Sequence, residues 1–302
     1  MNTQFAPLAG QPLKLGDDVT LVLAPNPSPM TNLGTNTYLL GHETLVVIDP
    51  GPADPAHLQA LERAIAGRPV SHILLTHSHL DHSPLAAALS ARTKAPVCAF
   101  GNSYAGRSKV MAELAQDGLA GGGEGIDPHF EPDQLLKDRQ LLSGNWGQIT
   151  AIHTPGHIGN HLCFAWRDVV FTGDHVMGWA SSLVSPPDGD LTDFMASCIR
   201  LKEHAARLYY PGHGAPITDP AARLDWLITH RQSREAQILN VLAKQPQTPS
   251  DITALIYHDV TPGLIRAAER NVFAHLVDLH QRGKVTAKPR LGTTAVFALA
   301  QP

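Results

Sequence analysis

Cysteine is scarce in this chain of 302 residues: Cys98, Cys163 and Cys198 are its three, and no two stand in a C-x-x-C spacing. An odd, scattered set excludes a disulfide framework and a zinc ribbon, and it fits a reducing compartment. Long apolar runs are missing as well. Nowhere do 18 apolar residues follow one another, so no segment reads as a membrane-spanning helix. From Met1 to Pro12 no basic patch leads into an apolar stretch, so no secretory signal is read. Charged residues make up only 17% and apolar residues 43%, enough side chain for a core and too much for disorder as the main state. A soluble, cytoplasmic protein of one large or two unequal domains is expected, with no membrane partner.

Charge is uneven along the chain. Residues 221–302 carry 10 Lys and Arg against 6 Asp and Glu, leaving 13 against 21 for the rest. An acidic first two-thirds joined to a mildly basic tail points to two units. In the first, short β-prone runs over 19–23, 37–40 and 45–48 are punctuated by Pro, Asn and Gly. Asp54-Pro55 then opens a helix, with Asp54 as N-cap and Gly67 as its stop. The apolar run within 72–76 predicts a buried strand, and Ser83-Pro84 predicts a second helix capped by Ser83. Strands over 161–166 and 169–172 flank Arg167-Asp168 as a hairpin. Alternation of this kind indicates a layered domain of helices and sheets. Gly121, Gly122, Gly123 and Gly125 mark the least regular stretch, expected as a mobile loop.

The tail has another pattern. A long helix is predicted over 220–244, and Thr248-Pro249-Ser250-Asp251 starts a short one. Leu264, Ala268, Val272, Leu276 and Leu279 then form a stripe at helical spacing that ends at Gly283. Two short strands, 285–287 and 294–299, close the chain. Helix, helix and β-hairpin is the order of a winged helix-turn-helix. The expected division is therefore 1–219 and 220–302, and a chain ending near Asp219 is expected to keep a folded site.

The chemistry concentrates in Thr76-His77-Ser78-His79-Leu80-Asp81-His82. In extended chain, residues two apart point the same way, so His77 and His79 can share one metal. Asp81 and His82, expected to begin the next helix, face a different direction and suit a second. Imidazole with carboxylate favours zinc, or iron or manganese in related sites. Further ligand-type residues follow three later strands, each beside a glycine that lets the backbone turn sharply: His157 in Thr154-Pro155-Gly156-His157, Asp174 after Gly173, and His213 after Gly212. His153, His161 and His175, near these in sequence, read as packing or as supports to the ligands.

Together these motifs resemble the metallo-β-lactamase superfamily in its dinuclear hydrolase form, over about residues 18 to 217. The resemblance implies an α+β, four-layer αβ/βα sandwich. It places a first metal on His77, His79 and His157, a second on Asp81, His82 and His213, and Asp174 between them. Asp49, in Val46-Val47-Ile48-Asp49-Pro50-Gly51, matches the strand-end aspartate that supports the site without ligating. Two divalent ions, zinc by preference, would hold a bridging hydroxide, with Asp81 and Asp174 accepting and relaying the proton. Domain order and the segment from Asp174 through Asp190 resemble the winged-helix-bearing β-lactamase-like subgroup. That subgroup includes animal mitochondrial endoribonucleases and fungal thioesterases acting on carrier-bound polyketides.

An ester-type bond, thioester or lactone, is the favoured target, on a small-molecule or carrier-bound substrate. Single-stranded RNA cleavage is the alternative, and a mononuclear-iron persulfide dioxygenase is the oxidative one. The acidic first unit, with Asp188 and Asp190 expected at the edge of the site, argues against a polyphosphate chain. The presumed third helix of the tail carries Arg266, Glu269, Arg270, Asp278 and Arg282, a mixed face poorly suited to tracking phosphates. The tail is expected to shape the mouth of the site or to form a homodimer.

Overall fold

A computed structural model describes residues 5–258 and 262–301, apart from the side chain of Pro262. Residues 1–4, the start of the segment searched above for a secretory signal, and Asp259 in the tail's charge count lie outside the described residues. Two mixed sheets form the centre. The first runs in chain order through β1 (Pro12–Lys14), β2 (Val19–Leu23), β3 (Asn36–Leu40), β4 (Leu45–Ile48), β5 (Val70–Leu74), β6 (Val97–Ala99) and β7 (Gln134–Leu135). The second consists of β8 (Leu141–Gly144), β9 (Gly147–His153), β10 (Leu162–Trp166), β11 (Val169–Gly173) and β12 (Leu208–Pro211). Pairing is antiparallel from β1 to β4 and from β8 to β11, then parallel from β4 through β7 and between β11 and β12.

Alternating side chains explain the layering. Val46, Ile48 and Tyr38 face Phe164, Phe171 and Trp166 across the gap between the sheets. The opposite residues, Leu45, Val47 and Leu39, pack outward against α1 (Pro55–Ile65) and α2 (Leu85–Thr93). On the far side, Ile152, Val170 and Tyr209 meet α4 (Leu191–Glu203) and the first half of α5 (Pro220–Leu242). Helix, sheet, sheet, helix is the expected four-layer order. With both faces covered, the strands read as continuous apolar runs.

Local chemistry sets the helix starts. Asp54 caps α1 through a bond from His57 N, with Pro55 behind it, and the helix stops at Ala66 in a left-handed conformation, one residue before Gly67. Ser83 is not the cap of α2: its hydroxyl lies 3.1 Å from both His79 O and Asp127 Oδ2, either of which can accept its proton, and Pro84 stands at the N-cap without a side-chain bond. Asp81 and His82 lie in a turn that precedes this helix rather than in its first turn.

α6 (Pro249–Ile256) begins with a reciprocal capping box between Thr248 and Asp251, followed by α7 (Ile265–Gln281) and the hairpin β13 (Val285–Lys288) and β14 (Val296–Leu299). This is the winged helix. It is fused to the sandwich by α5, whose Leu224 and Leu227 belong to the core beneath β9–β12 while Ile238 and Leu242 belong to the winged-helix core. Met111 and Leu114, on α3 (Lys109–Gln116), enter the winged-helix core from the other side, and Ala274 of α7 enters the sandwich's core. Every residue of α7 from Val272 to Leu279 is buried, so this helix is wedged between the two units. Among the described residues no helix is long and apolar enough to cross a membrane.

Candidate metal centre

The parallel pairs β4/β5 and β11/β12 bring the C-terminal ends of neighbouring strands together, which is where open α/β sheets present their ligands. Asp49 follows β4, His77 follows β5, and Asp174 and His213 follow β11 and β12, while His157 lies on the loop after β9. Asn36 ties the two sheets together beside the site, its Nδ2 donating to Pro211 O at 3.0 Å and Gly214 O at 2.9 Å. Gly212 has no room for a side chain, since a Cβ there would lie 2.4 Å from Asp174 Oδ1.

Seven ligand-type residues converge in two groups. His79 Nδ1 lies 3.1 Å from His77 Nε2 and 2.9 Å from His157 Nε2. In the other group His213 Nε2 lies 3.0 Å from Asp81 Oδ2 and 3.3 Å from His82 Nε2. Asp174 stands between them. Its Oδ2 is 3.7 Å from His157 Nε2 and 3.3 Å from His213 Nε2, while Oδ1 is 3.5 Å from His82 Nε2. All seven are buried.

The donor set fits cations. Oδ1 of Asp81 and Oδ1 of Asp174 are buried without a hydrogen-bond partner, an expensive state for a carboxylate unless a cation meets it. The outward nitrogens of four rings are all engaged, which turns the Nε2 lone pairs inward. His82 Nδ1 lies 3.0 Å from Asp49 Oδ2, His157 Nδ1 2.7 Å from Leu183 O, and His213 Nδ1 3.1 Å from Gly34 O. Thr76 spends its hydroxyl proton on Asp49 Oδ2, so its oxygen accepts from His77 Nδ1 at 2.9 Å. Asp49 also accepts from Thr76 N at 2.7 Å, and it holds a left-handed backbone (φ 51°) at the strand end. Ser78 points the other way, into a network with Ser103 and Asn160.

Charge separates the groups. Burial, then the neighbouring imidazoles, hold His77 and His79 well below the ordinary histidine range, His79 at about 3; burial likewise lowers His157. These are neutral rings with free lone pairs. Burial would also lower His82 and His213, but Asp81 and Asp174 outweigh it and push His213 up to about 10. Three imidazoles thus make one neutral cradle, and in the other group two carboxylates hold two imidazoles in their protonated form.

The other histidines near the motifs take supporting places. His161 stacks on His77 and bonds Thr154, His175 packs on Phe194 beside Cys198, and His153 stacks on Phe100. Beside the centre, Met30, Met177, Leu183, Gly122 and Gly123 line a small cavity, with Glu124 and Asp188 also in its wall. Asp188 does not act as a free negative charge. Arg107 pairs with it at 2.6 Å, both side chains being nearly buried. Asp190 is spent as the N-cap of α4 and as acceptor of the Ser108 hydroxyl. Of the two aspartates expected at the edge, Asp188 is charge-paired and Asp190 is held by hydrogen bonds. The glycine stretch is seated rather than free: a Cβ on Gly122 would lie 2.6 Å from Arg270 Cδ.

Sequence reasoning missed Arg231 and Asn271, which lie far along the chain on α5 and α7 and reach back to the loop bearing Leu183.

The Metallo-beta-lactamase superfamily model matches residues 30–213, and the beta-lactamase associated winged helix domain matches residues 248–292. A Drosophila melanogaster protein named beta-lactamase-like protein 2 homolog is 30% identical over 286 residues, 90% of this chain and 91% of its own length. An atrochrysone carboxyl ACP thioesterase of Cryptosporiopsis sp. is 27% identical over 304 residues, covering 93% of this chain and 85% of its own. The crystal structure of a metallo-beta-lactamase family protein from Thermus thermophilus superposes with a TM-score of 0.73 at 26% identity, covering 93% of this chain and 98% of that one.

Proposed function

Because the chain belongs to the metallo-β-lactamase superfamily, we propose that it is a dinuclear metal-dependent hydrolase of ester-type bonds, with thioesters favoured over lactones. The observation that carries this reading is the carboxylate of Asp174 between the three-histidine group and the Asp81-His82-His213 group, facing an apolar cavity. Two divalent cations bound there, zinc by preference, would polarise the carbonyl and bring a shared water's pKa toward about 7.

The chain's own residues supply the rest. Met30, Met177 and Leu183 offer an apolar wall to the acyl part of a substrate and exclude water from it. Asp81 and Asp174 are the carboxylates placed to accept and relay the proton, and Asp174 also lines the cavity. Thioesters are favoured because a relative is named as an ACP thioesterase, and because no Arg or Lys lines the cavity to receive a phosphodiester. Arg107 and Arg270, which bond to the lining residues Asp188 and Ser185, are engaged by Asp188 and by Ala120 O, Ser185 Oγ and Pro186 O.

Initial rates on a panel of acyl thioesters, lactones and a fluorogenic single-stranded RNA test the reading. Thioester turnover well above RNA cleavage is expected. Efficient RNA cleavage that falls steeply with salt, with inert thioesters, would replace it by the endoribonuclease. One tightly held iron with oxygen uptake would replace it by the persulfide dioxygenase.

A further inference from the structure

The peptide unit joining Leu183 to Val184 is held at both ends. Its carbonyl, Leu183 O, accepts from His157 Nδ1 at 2.7 Å. Its N–H, on Val184, donates to Asn271 Oδ1 at 3.3 Å, and Asn271 stands on α7 in the winged helix. The same Oδ1 accepts from Arg231 Nη1 at 2.9 Å. Arg231, on α5 and only 3% exposed, also donates through Nη2 to Ser182 O, and its guanidinium lies over the ring of Phe194. Both neighbours of the Asn271 amide are donors, which assigns its oxygen to that side.

Rigidity makes this a mechanical link. An amide is planar, so its N–H and C=O turn together, and pinning one aims the other. The carbonyl so aimed receives the His157 Nδ1–H, which fixes the ring and leaves Nε2 pointing at His79, 2.9 Å away. Remove the Asn271 acceptor and a buried N–H is orphaned on a loop. That loop relaxes to satisfy the N–H and carries Leu183 O with it.

We propose that Asn271 is a positioning residue for the three-histidine half of the centre, so that the winged helix sets the orientation of His157 through the Leu183–Val184 peptide. This rests on the reading of His77, His79 and His157 as metal ligands. Its sign is selectivity: His82 and His213 are oriented by Asp49 and Gly34 O, which Asn271 does not touch.

The test uses the full chain as wild type, Asn271→Leu, Asn271→Asp and His157→Ala. Each is stripped with a chelator, titrated with Co²⁺ while its visible absorption is recorded, competed with Zn²⁺, and melted. Wild type should take about two equivalents, and His157→Ala should lose the three-histidine site. Asn271→Leu should weaken that site about 10-fold and alter its Co²⁺ spectrum, with the other site unchanged within about twofold. Asn271→Asp keeps an acceptor for Val184 N and Arg231 and should restore both. Unchanged affinity and spectrum in Asn271→Leu, even with a lowered melting temperature, overturns the proposal and leaves the ligand reading standing. Equal weakening of both sites also overturns it, making Asn271 a general structural contact. Wild type without metal at the three histidines overturns ligand reading and proposal together. If Asn271→Leu does not fold, Asn271→Ser, too short to reach Val184 N, is judged by the same outcomes.

Discussion

One ligand from each half of the centre, His82 and His157, is anchored from a different side of the molecule. His82 is steered by Asp49, which sits at the end of β4 and also accepts from Thr76 at the end of β5, so its support lies inside the sandwich. His157 is steered by a loop carbonyl whose own support comes from α5 and α7. A ligand braced by the sheets lasts as long as they do. A ligand braced through a docked domain can be loosened by local opening while the sheets stay intact.

The hardest way to break this contrast is to remove the group both halves share. Asp174→Ala should drop bound metal below one equivalent by elemental analysis. The rate should fall beyond the roughly 100-fold typical of an outer partner. Near-normal stoichiometry would deny Asp174 its place between the groups.

Next in size is removal of everything after Asp219, earlier expected to keep a folded site. That chain lacks Arg231 and Asn271 and uncovers the core in which Leu224 and Leu227 are fully buried, each contributing about 2 kcal/mol. The expected result is now a poorly soluble chain whose three-histidine site binds metal weakly. A soluble fragment with wild-type affinity at both sites would erase the contrast.

Asp49→Asn sharpens it from the inside. It keeps the size of the side chain but loses the charge facing His82, and metal affinity should fall about 10- to 100-fold on the His82 side first. Site-resolved Co²⁺ titration reads this, and a loss confined to the three histidines would reverse the assignment.

The smallest effect concerns His275 on α7. Burial, and then the charges of Arg231, Arg234, His230 and Arg282, hold this ring well below the ordinary histidine range. Neither ring nitrogen has a partner. The folded pKa is depressed, so the unfolded chain takes the proton first. The stability contribution is complete above the unfolded value of about 6.5 and is lost as pH falls below it. Unfolding of His275→Leu, measured at pH 8 and pH 5, should show a shallower acid loss than wild type. Equal slopes would remove His275 from the account.

Much of this was legible in the sequence because it is local. Strand ends followed by ligand-type residues gave all seven members of the two groups, and the Thr248-Asp251 pair marked its helix start. Errors arose where a side chain had two possible partners: Ser83 turns to His79 O and Asp127 Oδ2 rather than capping α2, and Asp188 is claimed by Arg107. Arg231 and Asn271 were out of reach for another reason. The bond from Val184 to Asn271 joins residues 87 positions apart, and such a contact leaves no period or spacing to find.

The run Gly121-Gly122-Gly123 looks like the stretch of chain most open to replacement. The packing says the reverse. A methyl group on Gly121 would fall 1.8 Å from Asp188 Oδ2, and the carboxylate cannot retreat without leaving Arg107. One on Gly122 would displace Arg270, whose guanidinium already serves three oxygens, and one on Gly123, where φ is +76°, would strain the backbone and crowd Leu183. A library that randomises these three positions to widen substrate range would therefore return mostly damaged enzymes. Variation at Met30 or Met177 would reshape the same cavity while leaving its roof in place.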